Sequence, residues 1–338
     1  MKIGQFDTDK GIFVVAEVGN NHEGDFSKAV EMVKRAAECG VDAVKFQTFK
    51  TEQFVGLCDE KRFQQLKRFE LAYDEFEKLS EIAKGEGIHF ISTPLDMESA
   101  HFLNGIVSAF KIASSDNNFT PLIDYVLKTK RPTIVSTGLI GIQECRKLMA
   151  RIKKVWSKNE INRKLALLHC VSSYPVPDLQ ANIKAVSHMI QAFDCTIGYS
   201  DHTLGFEGSL ASVALGARII EKHFTLDKNQ SEFRDHKLSA DPGELKHLVE
   251  SIRKISRMMG SGMKEVQVCE KPLLNIVRRG LAAKRDLMPG EKIGKEDLMW
   301  IRMQGKSSYT KVSDIIGQKV RESIKKGELI PFKKGGRA

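Results

Sequence analysis

The chain has six cysteines in 338 residues, Cys39, Cys58, Cys145, Cys170, Cys195 and Cys269, and no two stand in a C-x-x-C spacing. That scatter argues against a thiolate zinc site and offers no disulfide framework, so a reducing cytoplasm is the expected setting. Long apolar runs are missing as well. No stretch approaches the roughly 18 apolar residues of a membrane span, and the opening "MKIGQFDTDKGIFVVAEVG" has no apolar core followed by a cleavage site. A soluble chain without a membrane partner is expected. Nucleic-acid motifs are also absent: 53 Lys and Arg residues are dispersed among 43 Asp and Glu. The net charge of +10 therefore points to small anions such as phosphates and carboxylates, and not to nucleic acid.

What is present is alternation. Short β-branched and apolar runs recur at residues 12–19, 43–49, 88–94, 109–114, 132–138, 165–170, 196–202 and 217–226, separated by amphipathic stretches. "DFSKAVEMVKRAAECG" is one such stretch, with Asp25 or Ser27 to cap a helix and Gly40 to end it. Eight β-then-α units before about residue 260 predict a (β/α)₈ barrel, with a doubly wound sheet as the alternative that periodicity leaves open. A long charged insertion, residues 50–73, follows the second strand and in a barrel lies over the active face.

In a barrel the chemistry sits at the carboxyl ends of the strands. The polar residues that close the apolar runs are Glu17, Lys45, Gln47, Ser92, Thr93, Lys111, Ser114, Ser136, Thr137, His169, Ser200, His202, Glu221 and His223. Side chains alternate across a strand, so Lys45 shares a face with Gln47, Ser200 with His202, and Glu221 with His223. A single strand-end histidine reads first as a hydrogen-bonded core residue. Two at matched positions of successive strands, one beside Glu221, read equally well as ligands of an octahedral divalent ion whose other donors are water and substrate oxygens. Lys45 and Lys111 interrupt apolar runs, and with Ser and Thr hydroxyls they make a phosphate or carboxylate site.

The stretches "AEVGNNHEGD", "VKFQTF", "FISTPLD", "FKIASSD", "STGL", "LLHCVSSYP", "GYSDHT", "EKHFTLD" and "DHKLSADP" together resemble the sialic acid synthase family, almost end to end. The resemblance implies a (β/α)₈ TIM barrel over residues 1–260, a linker at 261–275 and a small antifreeze-like (SAF) β-rich domain at 276–338. It implies condensation of phosphoenolpyruvate with an N-acylated amino sugar such as N-acetylmannosamine, or with a 2,4-diacetamido-trideoxy hexose leading to legionaminic or pseudaminic acid. His202 and His223 would hold a divalent metal, typically Mn²⁺, with Mg²⁺ or Co²⁺ as alternatives. Lys45, Thr93, Lys111, Ser114, Ser136 and Ser200 would hold phosphoenolpyruvate. Glu17, Gln47, Tyr174 and Asp235 would face the sugar or its aldehyde, and Glu221 would act as base or orienting group. The family's domain-swapped homodimer carries an arginine into the partner's site, for which Arg302 in "MWIRMQG" is the candidate, although Met303 stands where a proline is usual. Ser172 and Asp116 depart from residues that some members use, so the sugar pocket differs there.

The carboxyl-terminal segment has its own signal. "LMPGEKI" (287–293) recurs as "IKKGELI" (324–330), an echo built on Gly-Glu turns that indicates a small β-type module. Two other classes remain: a class I aldolase with Lys45, Lys111 or Lys222 as Schiff-base lysine, and a non-catalytic sugar-binding protein that keeps the fold.

Overall fold

The computed structural model describes residues 1–302 and 311–331. Eight parallel strands close on themselves in chain order, the last pairing with the first. They are β1 (Phe13–Gly19), β2 (Ala43–Thr48), β3 (His89–Pro94), β4 (Ala109–Ile112), β5 (Thr133–Ser136), β6 (Leu165–Cys170), β7 (Thr196–Asp201) and β8 (Ile219–His223). The seam is in register, with Ile219 opposite Phe13 and His223 opposite Glu17. The fold is a (β/α)₈ barrel followed by a SAF-type domain, and the doubly wound alternative falls because that sheet would stay open.

The helices form where capping and apolar spacing agree. Asp25 accepts a hydrogen bond from the Lys28 N–H to start helix Phe26–Glu38, which buries Ala29, Met32, Val33 and Ala36 along one stripe. Gly40, at φ 81°, then turns the chain toward β2. Helix Pro242–Met258 starts from the Asp241/Glu244 capping box and buries Leu245, Leu248, Val249 and Ile252. Such stripes meet the outward side chains of the strands in one continuous apolar layer that includes Val14, Ala16, Val44, Phe46, Phe110 and Leu167.

The inward side chains make a separate, smaller core. Phe13, Val15, Ala43, Ile91, Ala109, Ile134, Ala166, Leu168 and Ile219 fill the lower lumen, joined by Met1 and Ile3. Those last two come from a short hairpin, Lys2–Ile3 against Phe6–Asp7, that plugs the amino-terminal end of the barrel. Above this layer the inward positions become polar, and the site is built there.

The insertion after β2 folds into helices Thr51–Phe54 and Glu60–Phe69. Glu70 fastens it, accepting from the Thr51 N–H at 3.0 Å and from the Thr51 hydroxyl at 2.8 Å. Its end rests on Gly24, where a Cβ would lie 2.0 Å from the Arg68 carbonyl oxygen at a φ of +84°. Only glycine permits that approach. Phe69 meets Phe233 edge-on at 5.2 Å, tying the insertion to the segment after β8.

The chain divides into two compact units, Met1–Gly260 and Ser261–Ala338. In the second, a 3₁₀ turn (Val268–Leu273) and a short helix (Leu274–Val277) occupy the stretch read as linker. A hairpin of Arg279–Ala283 and Leu298–Arg302 then packs Leu281, Ala283, Leu287, Ile293, Val320, Ile324 and Ile330 into a core of its own. The two echoed segments pair at their first residues, Leu287 with Ile324, and Gly290 and Gly327 adopt φ of 92° and 87° at the turns.

Candidate active site

At the carboxyl ends of the strands four buried charges interlock. Lys45 on β2 places Nζ 3.0 Å from Glu17 Oε2 on β1 and 3.5 Å from Glu221 Oε1 on β8, and Lys111 on β4 places Nζ 3.4 Å from the same Glu221 oxygen. All four side chains are nearly inaccessible. Burial favours the neutral form of every one of them, and the neighbours decide the outcome. For Glu17 burial prevails and its pKa rises. For Glu221 burial is outweighed by Lys111 and Lys45, which hold its carboxyl well below the usual range. Lys45 is kept charged against burial by Glu17 and Glu221, whereas burial lowers the pKa of Lys111. Lys45 bridges both carboxylates and Lys111 reaches Glu221 alone, so two lysine amines stand side by side at the cavity wall, a donor pair that suits an anion.

The histidines stand beside this cluster. His202, just past β7, and His223, the last residue of β8, have ring centroids 5.4 Å apart, inclined by 57°. His202 Nδ1 lies 2.8 Å from the Val171 carbonyl oxygen, which fixes a proton on Nδ1 and leaves the Nε2 lone pair free. Burial alone would lower the His202 pKa, but the Cys170 thiol beside it and the Val171 carbonyl raise it. His223 is held neutral, by burial first and then by its cationic neighbours, and its buried Nδ1 has no hydrogen-bond partner. An orphaned imidazole nitrogen next to an imidazole of fixed tautomer is a donor set that fits a divalent cation. Among the described residues no group of three or more His, Cys, Asp and Glu side chains is arranged around one point, so such an ion would keep several positions for oxygen ligands.

One cavity of about 670 Å³ gathers every predicted site residue of the first unit. Gln47 is within 3.3 Å of Glu17 Oε1, and Lys45 donates to the Thr93 hydroxyl at 3.3 Å. Ser200 donates to Glu221 at 3.0 Å. Ser136 lines the cavity with a buried hydroxyl that has no partner. Ser114 accepts from the Gly138 N–H at 3.0 Å. Gly138 leaves room for both serines, since a Cβ there would stand 2.7 Å from the Ser114 hydroxyl and 2.4 Å from that of Ser172 and would turn them aside. Tyr174 covers His202 at 4.2 Å between ring centroids, and Asp235 borders the same space with its pKa raised by burial. Arg302 lies in the second unit, exposed at the end of its hairpin strand, and Met303 falls outside the described residues.

Four strand-end residues belong elsewhere. Ser92 hydrogen-bonds outward to Thr48 at 2.7 Å, and the Thr137 hydroxyl donates to the Leu168 carbonyl. His169 faces Ala181 O at 2.9 Å and lines a second cavity of about 480 Å³. Lys222 points to the outer face, its Nζ on the Thr203 carbonyl at 2.6 Å, which removes it as a Schiff-base candidate. Each is one residue out of phase with the lumen. A two-residue period says which side chains share a face, but not which face is inside.

The NeuB family model matches residues 32–264, and a SAF domain model matches residues 278–334. The chain belongs to the NeuB family. It is similar to an N,N'-diacetyllegionaminic acid synthase of Legionella pneumophila, 38% identical with 94% of this chain and 93% of the relative covered. It is 34% identical to a pseudaminic acid synthase of Campylobacter jejuni, with 98% of each covered. Among solved structures, the N-acetylneuraminic acid synthetase of Leptospira borgpetersenii in complex with citrate superposes with a TM-score of 0.75 at 33% identity, covering 81% of this chain and 94% of that one.

In this NeuB-family chain the cavity has walls that strand-end reasoning did not name. Phe54, Asp59, Lys61, Arg62, Gln65 and Leu66 of the insertion border it, as do Glu232, Phe233 and Arg234 after β8. Arg234 lies over the Tyr174 ring at 5.0 Å. The charged run at 50–73 was the available signal for the first group. The second lies beyond a strand end, in a segment with no periodicity to read.

Proposed function

We propose that this chain condenses phosphoenolpyruvate with the open-chain aldehyde of an N-acylated amino sugar, forming a nonulosonic acid and releasing phosphate. The observation that carries the reading is the pairing of Lys45 and Lys111, both buried and shared by Glu221, within the same cavity as His202 and His223.

Phosphoenolpyruvate carries a phosphate and a carboxylate, and the two ammonium groups supply fixed positive charge in a water-poor site where it acts strongly. Ser136, with its unpartnered hydroxyl, adds a donor, while Thr93, Ser114 and Ser200 place hydroxyls beside the lysines. Gln47, Tyr174 and Asp235 border the space left for the sugar. A divalent cation, Mn²⁺ by preference, would be held by His202 and His223 and would supply a Lewis acid for the aldehyde oxygen. As C3 of phosphoenolpyruvate bonds to the aldehyde carbon, that oxygen becomes a hydroxyl and needs a proton, for which Glu17, a cavity-lining carboxyl whose pKa burial raises, is the donor in this reading. Water then adds at C2, with ionised Glu221 to orient it and take its proton, and the resulting C2 hydroxyl passes its remaining proton to the departing phosphate as the C2–O bond breaks to leave the ketone. The lysines hold the departing phosphate throughout and form no covalent bond.

The acceptor is a neutral acylated sugar in either of two forms, N-acetylmannosamine or a 2,4-diacetamido-trideoxy hexose. The relative named for diacetyllegionaminic acid, at 38% identity over 94% of this chain, favours the second form as the alternative to test beside the first. A domain-swapped homodimer bringing Arg302 to the partner's cavity completes the reading. Phosphate release from phosphoenolpyruvate with Mn²⁺, measured with each acceptor and with and without a chelator, tests it. Chelator-sensitive release with one acceptor is expected, and no release with any of them from folded protein would overturn it.

A further inference from the structure

The outward positions of the eight strands are apolar or neutral with one exception. Among the described residues only Asp201 on β7 and Lys222 on β8 place a carboxylate and an ammonium there. They are directly opposite in the sheet and essentially inaccessible, at 0% and 2% exposure. Asp201 and Lys222 each stand one residue before the histidines, and neither borders the main cavity.

Their bonds converge on the backbone that carries His202. Asp201 Oδ1 accepts from the Thr203 N–H at 2.9 Å and from the Thr203 hydroxyl at 2.7 Å, closing a turn with His202 at its middle. Its other oxygen takes the Ser209 hydroxyl at 2.6 Å. Lys222 Nζ donates to the Thr203 carbonyl at 2.6 Å and lies 3.5 Å from Asp201 Oδ2. Thus the residue before His223 holds the residue after His202. A buried ion pair is weak evidence for stability, since apolar side chains of equal volume often serve as well. Its placement here requires another reason.

We propose that Asp201 and Lys222 are positioning residues that lock β7 and β8 from outside the barrel, so that His202 and His223 are preset to take one divalent cation. The inference rests on the metal reading given above and deepens it. Outer partners of ligands commonly change metal affinity 10- to 100-fold. The pair acts through the backbone turn, where such partners usually act through the ligand's own ring.

The test is Mn²⁺ binding by calorimetry to full-length protein, with phosphoenolpyruvate binding in metal-free buffer measured alongside. Asp201→Asn with Lys222→Met removes both charges and leaves none orphaned, which keeps the barrel folded. An equivalent double change at the opposite end, Asp42→Asn with Arg253→Met, removes the 2.6 Å Asp42–Arg253 pair and serves as the structural control. The Asp201→Asn/Lys222→Met protein should bind Mn²⁺ about tenfold or more weakly, keep phosphoenolpyruvate binding within threefold, and show faster amide exchange at Thr203 when metal-free. The control should leave Mn²⁺ affinity unchanged. A folded Asp201→Asn/Lys222→Met protein with wild-type Mn²⁺ affinity, or a control that weakens Mn²⁺ equally, would overturn the inference while leaving the metal site intact. Wild-type protein that binds phosphoenolpyruvate but no Mn²⁺ would overturn the metal reading and the inference with it.

Discussion

The lower and upper halves of the lumen are built by the same strands and obey opposite rules. Below, Phe13, Val15, Ile91, Ile134, Leu168 and Ile219 exclude water and close-pack. Above, two residues further along their strands, Glu17, Lys45, Lys111 and Glu221 bury charge that solvation would favour leaving outside. The lower layer contributes stability and its shape is all that matters. In the upper layer stability is given up for a preset field, so substitutions there should injure activity and spare the fold.

The sharpest break in that comparison is His223→Ala. It should abolish Mn²⁺-dependent phosphate release in protein that melts normally, and full activity in metal-free buffer would refute the assignment. Lys111→Met comes next: kcat/KM for phosphoenolpyruvate should fall by about 10³-fold, with a smaller effect on Tm because Glu221 retains Lys45 as a partner. Steady-state kinetics beside a thermal melt separates the two effects. In the lower layer Leu168→Ala should reverse the pattern, costing about 2–5 kcal/mol of stability by denaturant titration while the KM of the surviving folded fraction stays put.

A smaller effect tests the loop that follows β1. His22, buried in the loop after β1, has its pKa lowered to about 4, by burial above all. Its Nδ1 accepts from the Gly24 N–H at 3.0 Å, a bond that protonation destroys. The unfolded chain takes up this proton first as pH falls, so stability is complete above about pH 6.5 and declines toward pH 4, by at most about 3 kcal/mol. His22→Asn should flatten the stability-versus-pH curve across that window, measured by urea titration. An unchanged slope would show that His22 is already charged in the folded protein.

How much of this was legible in the sequence follows from what a period can encode. Strand runs such as "LALLHC" match β6 residue for residue, because apolar alternation and a polar end are local properties. The lumen cluster was legible for the same reason, since Lys45 and Glu221 interrupt runs that otherwise demand apolar side chains. Phase was not local. Whether Ser92 or Thr93 turns inward depends on how the closed barrel rolls the strand, so a list of polar strand ends holds Ser92, Thr137 and His169 beside the residues that reach the cavity. The amino-terminal hairpin was missed because two-residue strands have no period, and its evidence is the fit of Met1 and Ile3 under Phe13. The contact of Phe69 with Phe233 unites segments that only closure of the barrel brings together.

The seam between β8 and β1 has a consequence for the life of the chain. Glu17 is made 206 residues before its strand partner His223, which is among the last residues of the barrel to be made. Asn21 hydrogen-bonds to the carbonyl of Phe224, 203 residues downstream. Pairings so distant form late, after loop closure has been overcome. A ribosome-bound or truncated chain ending before β8 therefore has its lysines but neither Glu221 nor His223. The cluster in which Glu221 joins Lys45 to Lys111 is therefore complete only once the final strand has paired.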